Sequence, residues 1–211
     1  GRGELLLSAI DPFVLGNKGS ALIHEMLHNL GARFNGRPRH IPAALDRNGT
    51  VVHALLSGTY AGGSMDEVMA RDYLAGRYWG AMDSNEEGFW NFETMNLKGE
   101  QKDCAVYLSF WLFSPRSLVN LLLEPNMPRL DLEFAADDKL AVYVNGNLLD
   151  NAVKRQDNPA LPQRIEGIPL EKGWNHVLLK VGQLWGGWNG RFRFTATDPA
   201  YMRQLESVIM Q

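Results

Sequence analysis

What most narrows the possible folds is a two-residue alternation of apolar and polar side chains that recurs through the latter three-quarters of the chain. Leu130, Leu132 and Phe134 alternate with Asp131 and Glu133. Leu140, Val142 and Val144 repeat the pattern, as do Val177, Leu179 and Val181, and then Phe192, Phe194 and Ala196. Successive side chains of a strand point to opposite faces, so each run predicts a strand with one apolar face. Val106 to Phe113 also alternates, and Leu118 to Leu123, following Ser114-Pro115, reads as a further buried strand. Asn145-Gly146 is the dipeptide favoured by two-residue type I′ hairpins, where both central residues take positive φ. Strands at this spacing, joined by loops with few helices, predict a β-sandwich. The exception is Ser64 to Gly76, where Met65, Val68, Met69 and Tyr73 allow a short helix.

The N-terminal part follows a different grammar. Glu4 to Ile10 is a short apolar run that reads as a strand, and Ser20 can cap a helix from about Ala21 to Leu30, closed by Gly31. Residues 1–34 are therefore expected to be a strand–helix unit left from an upstream α/β region. Residues 35–50, rich in Gly, Pro and polar groups, are expected to be a connector, with the sandwich over 51–211. A chain that enters its first strand so early is expected to be a piece of a longer protein. Export cannot then be judged from its start.

Composition excludes some classes. Lys and Arg total 21 against 24 Asp and Glu, a formal charge of −3, which argues against a nucleic-acid partner. No apolar run reaches the length of a membrane span, so no membrane partner is expected. The single Cys104 allows neither an internal disulfide nor a Cys-based zinc site.

His24-Glu25-Met26-Leu27-His28 fits the zinc-peptidase pattern, in which two His one helical turn apart bind zinc and the Glu activates water. Phe34 stands where the extended pattern needs a third His, and His40, Glu67 and Glu86 lie in no ligand motif. On a helical projection Leu22, Ile23, Met26, Leu27 and Leu30 share an arc of roughly 140°, leaving His24 and His28 on the opposite, solvated face. A solvated His face is the expectation, and a zinc-dependent metallohydrolase is the lesser alternative.

Gly1 to Asp11, followed by a helix ending His28-Asn29-Leu30-Gly31, resembles the last strand and helix of flavodoxin-like or amidotransferase-like regions in large glycoside hydrolases. Residues 51 to 196 carry a second resemblance. It lies in Leu55 to Tyr60, Asp72 to Gly76, Trp90, Ala136-Asp137-Asp138 through Asn145-Gly146, Gly173-Trp174-Asn175 and Trp185-Gly186-Gly187-Trp188. This order resembles the galactose-binding-like jelly-roll modules of bacterial glycoside hydrolases, notably the sugar-binding domain of glycoside hydrolase family 2. The resemblance implies a mainly β, jelly-roll sandwich and a non-catalytic accessory role. It also implies carbohydrate and an upstream catalytic domain as partners, and a periplasmic or extracellular location. A purely structural spacer is the alternative. Asp137-Asp138 is also similar to the calcium-holding pair of protective-antigen-type lectin domains, which implies calcium as a possible cofactor on hard oxygen ligands.

The residues themselves admit two readings. Sugar recognition needs flat apolar faces for the C–H side of the ring and planar donors and acceptors for its hydroxyls. Trp185 and Trp188, spaced by Gly186-Gly187, fit the first need, while Asn189, Arg191 and Arg193 fit the second. The same tryptophans fit equally well as covers for an open end of the sandwich. Trp79 and Trp90 are weaker candidates, and Trp174 fits a core plug better than a platform. Asp137 and Asp138 are a poor acid–base dyad on a strand, and their carboxylates suit backbone N–H groups at a turn.

Overall fold

The computed structural model describes residues 43–71, 79–94, 102–119, 127–149, 154–155 and 162–209. Contacts divide the chain into Gly1–Ile41 with Met210–Gln211, and Pro42–Ile209. The expected N-terminal strand and helix, and with them His24, Glu25, His28 and His40, lie outside the described residues.

The alternating runs become strands of two antiparallel sheets. In the larger sheet, β1 (His53–Ser57) lies between β3 (Trp79–Asp83) and β5 (Cys104–Ser114). Next come β11 (Gly173–Gln183), β7 (Lys139–Val144) and the edge strand β8 (Asn147–Leu148). β2 (Tyr60–Ala61) and β13 (Glu206–Val208) also pair with β5, and β9 (Lys154–Arg155) pairs with β7. The smaller sheet runs β10 (Gln163–Ile165), β6 (Leu130–Ala136), β12 (Asn189–Ala196), β4 (Phe89–Asn91). From β3 to β7 every connection crosses between sheets, and the chain crosses again after β9, β10, β11 and β12. This is the wrapping expected of a jelly roll. The mainly β sandwich predicted from the alternation is what forms.

The apolar faces meet in one core. Val106, Leu108, Phe110 and Leu112 of β5, with Val177, Leu179 and Val181 of β11, face Leu130, Leu132, Phe134, Phe192 and Phe194 of the smaller sheet. The Phe110 and Phe194 rings meet nearly edge to face, 6.0 Å apart. Residues 43–50, part of the stretch read as a connector, pack onto this body: Ala44 is fully buried, and Thr50 bridges to Arg193. The Asn145-Gly146 hairpin has the expected positive φ at both positions, 51° and 81°. Leu118 is buried, but residues 118–119 form no strand, and residues 120–123 of the predicted strand lie outside the described residues. Leu118 instead hydrogen-bonds Leu170 as an irregular strap.

Asp131 alternates with core residues and was expected on the wet face, yet it is fully buried. Arg129 and Arg164 both pair with it, and the Gly167 amide donates to it at 2.8 Å. Its burial is tolerated because every part of the carboxylate has a partner.

The outward face of the larger sheet is covered in part by helix α1 (Met65–Ala70); residues 72–76 of the predicted span lie outside the described residues. Ser64 and Glu67 form a reciprocal capping box at its start. Met65, Val68 and Met69 lie over Ala105 and Ala141, and Gly182 beneath them leaves room for the methionine sulfurs. Fully buried Lys180 of β11 donates to the carbonyls of Val68, Met69 and Arg71 at 2.6, 2.9 and 2.7 Å, giving partners to carbonyls at and just past the helix C-terminus. No helix among the described residues is long and apolar enough to cross a membrane.

Candidate functional site

The Asp137-Asp138 turn between β6 and β7 meets the loop between β11 and β12 at one end of the sandwich. The β6–β12 register explains this: Gly190 pairs with Ala136, so the Asp137 amide meets the Asn189 carbonyl at 3.0 Å. The Asp138 amide binds the Gly182 carbonyl at 2.8 Å, and the peptide between the two aspartates is cis. Asp138 Oδ2 accepts from the amides of Leu184 and Trp185 at 2.6 and 3.4 Å. The backbone-binding role expected for the pair thus falls to Asp138, which anchors the neighbouring loop rather than its own turn.

That anchored loop presents Trp185 to solvent, 73% exposed. Gly186, at φ +89°, turns the chain directly after it, in a region side chains disfavour. A Cβ built on Gly187 would lie 3.5 Å from Asp137 Oδ2 and 3.9 Å from Asn189 Nδ2. A carboxylate and an amide therefore flank the same bare backbone, beside an exposed indole. Gln183, buried at the loop's base, donates to the Gly186 carbonyl at 2.7 Å and stiffens the turn.

Trp188 requires a correction. It is buried against Phe92, with ring centres 5.4 Å apart, and cannot stack on a ligand. Of the two tryptophans that the sequence offered alike, one is sealed in the core and the other stands in solvent. Trp90 is likewise in the core, its indole N–H bound to the Val51 carbonyl, and Trp79 is half-buried beside Tyr107.

Asn189, Arg191 and Arg193 occupy alternate outward positions of β12, as expected. The Arg193 side chain is already engaged, donating to the Asn48 carbonyl and lying 4.0 Å from Glu133. The Arg191 guanidinium lies over the Phe89 ring, 5.6 Å from its centre. The structure thus brings Asp137, Asp138, Trp185 and Asn189 together and sets Arg191 along the adjoining strand.

Electrostatics separate Asp137 from its surroundings. Burial and the carboxylates of Asp138 and Glu93 push its acid up to about 6. Glu93 was not anticipated; only the β4–β12 pairing brings it near. Among the described residues no Lys, Arg or His pairs with Asp137 or Asp138. No group of three or more His, Cys, Asp or Glu among the described residues is arranged to hold a metal. Of the other metal candidates, Glu67 is committed to the α1 cap and Glu86 is exposed in a turn.

A second aromatic strip lies on the outward face of the larger sheet, where Trp111 stacks near His176 and Phe113 meets Trp174. Trp174 is therefore half-buried on the sheet surface rather than a plug in the core.

No protein-family model and no curated protein matches the sequence. Among solved structures, the chain is similar to a family 35 carbohydrate binding module from an environmental isolate. That match has 15% identity over 57% of this chain and 83% of the other, with a TM-score of 0.34. It is also similar to the Epithelial Adhesin 9 A domain from Candida glabrata in complex with Galb1-3GlcNAc, at 12% identity over 82% of this chain and 96% of the other, TM-score 0.41. A Beta-glucosidase from Kluyveromyces marxianus in complex with glucose matches at 12% identity over 84% of this chain and 21% of its own, TM-score 0.39. Likeness this distant decides neither fold nor ligand; the two-sheet architecture stands on the strand pairing described above.

Proposed function

We propose that this protein is a non-catalytic carbohydrate-binding domain whose site is the loop end formed by Trp185, Asp137, Asp138 and Asn189. The observation that carries the reading is the exposed Trp185 indole on the loop whose Gly187 lies against a carboxylate–amide pair. A pyranose has an apolar C–H face for the indole and hydroxyls for Asp137 and Asn189. The Asp138 anchor and the Gln183 brace lower the ordering cost of binding by fixing the loop beforehand. Following the sequence resemblance, we place the domain beside a catalytic domain in an exported bacterial glycoside hydrolase.

We propose calcium as a structural partner of this site. Two adjacent carboxylates without a described cation, one pushed up by burial and by its like-charged neighbours, fit a hard divalent ion. Asp137, Asp138 and Asn189 would hold it, and the ion would supply positive charge to sugar hydroxyls.

The test is retardation on polysaccharide affinity gels with calcium or chelator. Retardation should disappear in Trp185→Ala and weaken in chelator. A variant that migrates like the parent on every retarding gel would remove Trp185 from the site, and the absence of retardation on all gels would favour a spacer.

A further inference from the structure

We propose that the site extends along the outward face of the smaller sheet to Arg191, and that its sugar is acidic, with a uronate carboxylate received by the Arg191 guanidinium. This rests on the carbohydrate reading and adds a substrate class to it.

Arginines on this sheet differ in whether their charge is used. Arg129 and Arg164 neutralise Asp131, and Arg129 also meets Glu166. Arg193 is held by Asn48 and Glu133. Arg191 is exposed, and its guanidinium forms no ion pair or hydrogen bond with any described residue. It lies over Phe89, a contact that orients the planar group while leaving its N–H edge open. A guanidinium so oriented matches a carboxylate with two parallel hydrogen bonds, a geometry an ammonium does not reproduce.

Its position links it to the site. Arg191 is two residues from Asn189 on the same face, about 7 Å along the strand. One sugar ring with its substituents can therefore touch both. Register sets Arg191 between Phe89 of β4 and Ala135 of β6, so a small side chain borders it and leaves the sheet face open. The two side chains together fix orientation: hydroxyls toward Asn189, acid toward Arg191.

The experiment is an amide-resolved NMR titration of the full chain, at low ionic strength with calcium present. The probes are D-glucuronate and D-galacturonate against D-glucose and D-galactose. The uronates should bind about tenfold more tightly than the matched neutral sugars, and the advantage should shrink as salt is raised. Arg191→Ala should erase the advantage, leaving each uronate bound no more tightly than its matched neutral sugar, and Arg191→Lys should restore only part of it. Equal binding of acidic and neutral sugars overturns the proposal, as does an advantage that survives in Arg191→Ala or no binding by any of the four. Trp185→Ala separates the two claims. If it weakens all four sugars while uronates hold no advantage, only the acidic-sugar assignment fails; if it changes none of them, the site itself is wrong.

Discussion

At one end of β6, Asp131 is fully buried and surrounded by Arg129, Arg164 and the Gly167 amide; at the other, Asp137 and Asp138 are only partly buried, yet no described cation pairs with them. The strand thus carries a charge-compensated carboxylate and an uncompensated pair seven positions or less apart. The compensated end ties β10 and its following loop to the sandwich, so its ions are consumed by architecture. The other end gathers like charge beside an exposed tryptophan and a polar amide. Uncompensated charge at a surface is costly to fold around, which makes it the better pointer to a ligand.

This contrast can be tested by substitution. Trp188→Ala, beneath the uncompensated end, should cost about 3–5 kcal/mol in urea denaturation, since it hollows a sealed core. A loss near zero would mean that Trp188 is a surface residue after all. Asp131→Asn should cost about 2–3 kcal/mol, less than a wholly buried pair because Arg129 and Arg164 are 37% and 42% exposed and can turn to water. A neutral result would erase the distinction between the two ends. Asp137→Asn should act in the opposite direction. In chelator near pH 7.5 it should stabilise by about 1 kcal/mol, well short of the full value of the shift because water screens the group.

The sign follows from the proton. Folded Asp137 titrates near 6 while its ordinary value is 3.8, so between these values the folded chain holds more protons than the unfolded one. Calcium-free protein should therefore gain stability as pH falls from about 7 toward 4.5, and Asp137→Asn should remove that contribution. Urea midpoints across this range provide the check, and an unchanged profile in the variant would assign the shift elsewhere. The smallest effect is Trp185→Ala, which should leave stability within about 0.5 kcal/mol while abolishing retention on a polysaccharide gel.

Period-two alternation made the inward faces of β5, β6, β7, β11 and β12 legible, because one buried face leaves a direct mark on composition. The Asn145-Gly146 turn was legible for a local reason, the positive φ that few residues tolerate. Asp131 was not, since alternation assigns a face but cannot see arginines arriving from other strands. Trp185 and Trp188 were indistinguishable for a similar reason. Only the strand end at Gln183 and the turn at Gly186 decide which indole goes inward. The proximity of Asp137 to Asn189 depends on register between strands more than fifty residues apart, and no short-range pattern encodes that pairing.

Lys180 offers a practical handle. Its ammonium has three hydrogens and faces three carbonyls at the end of α1, beside the Tyr107 ring. An amine so occupied has no lone pair to offer an electrophile until the helix lifts away. Acylating reagents should label the surface lysines first and reach Lys180 only after that opening, so its labelling rate clocks how often this corner of the protein comes apart.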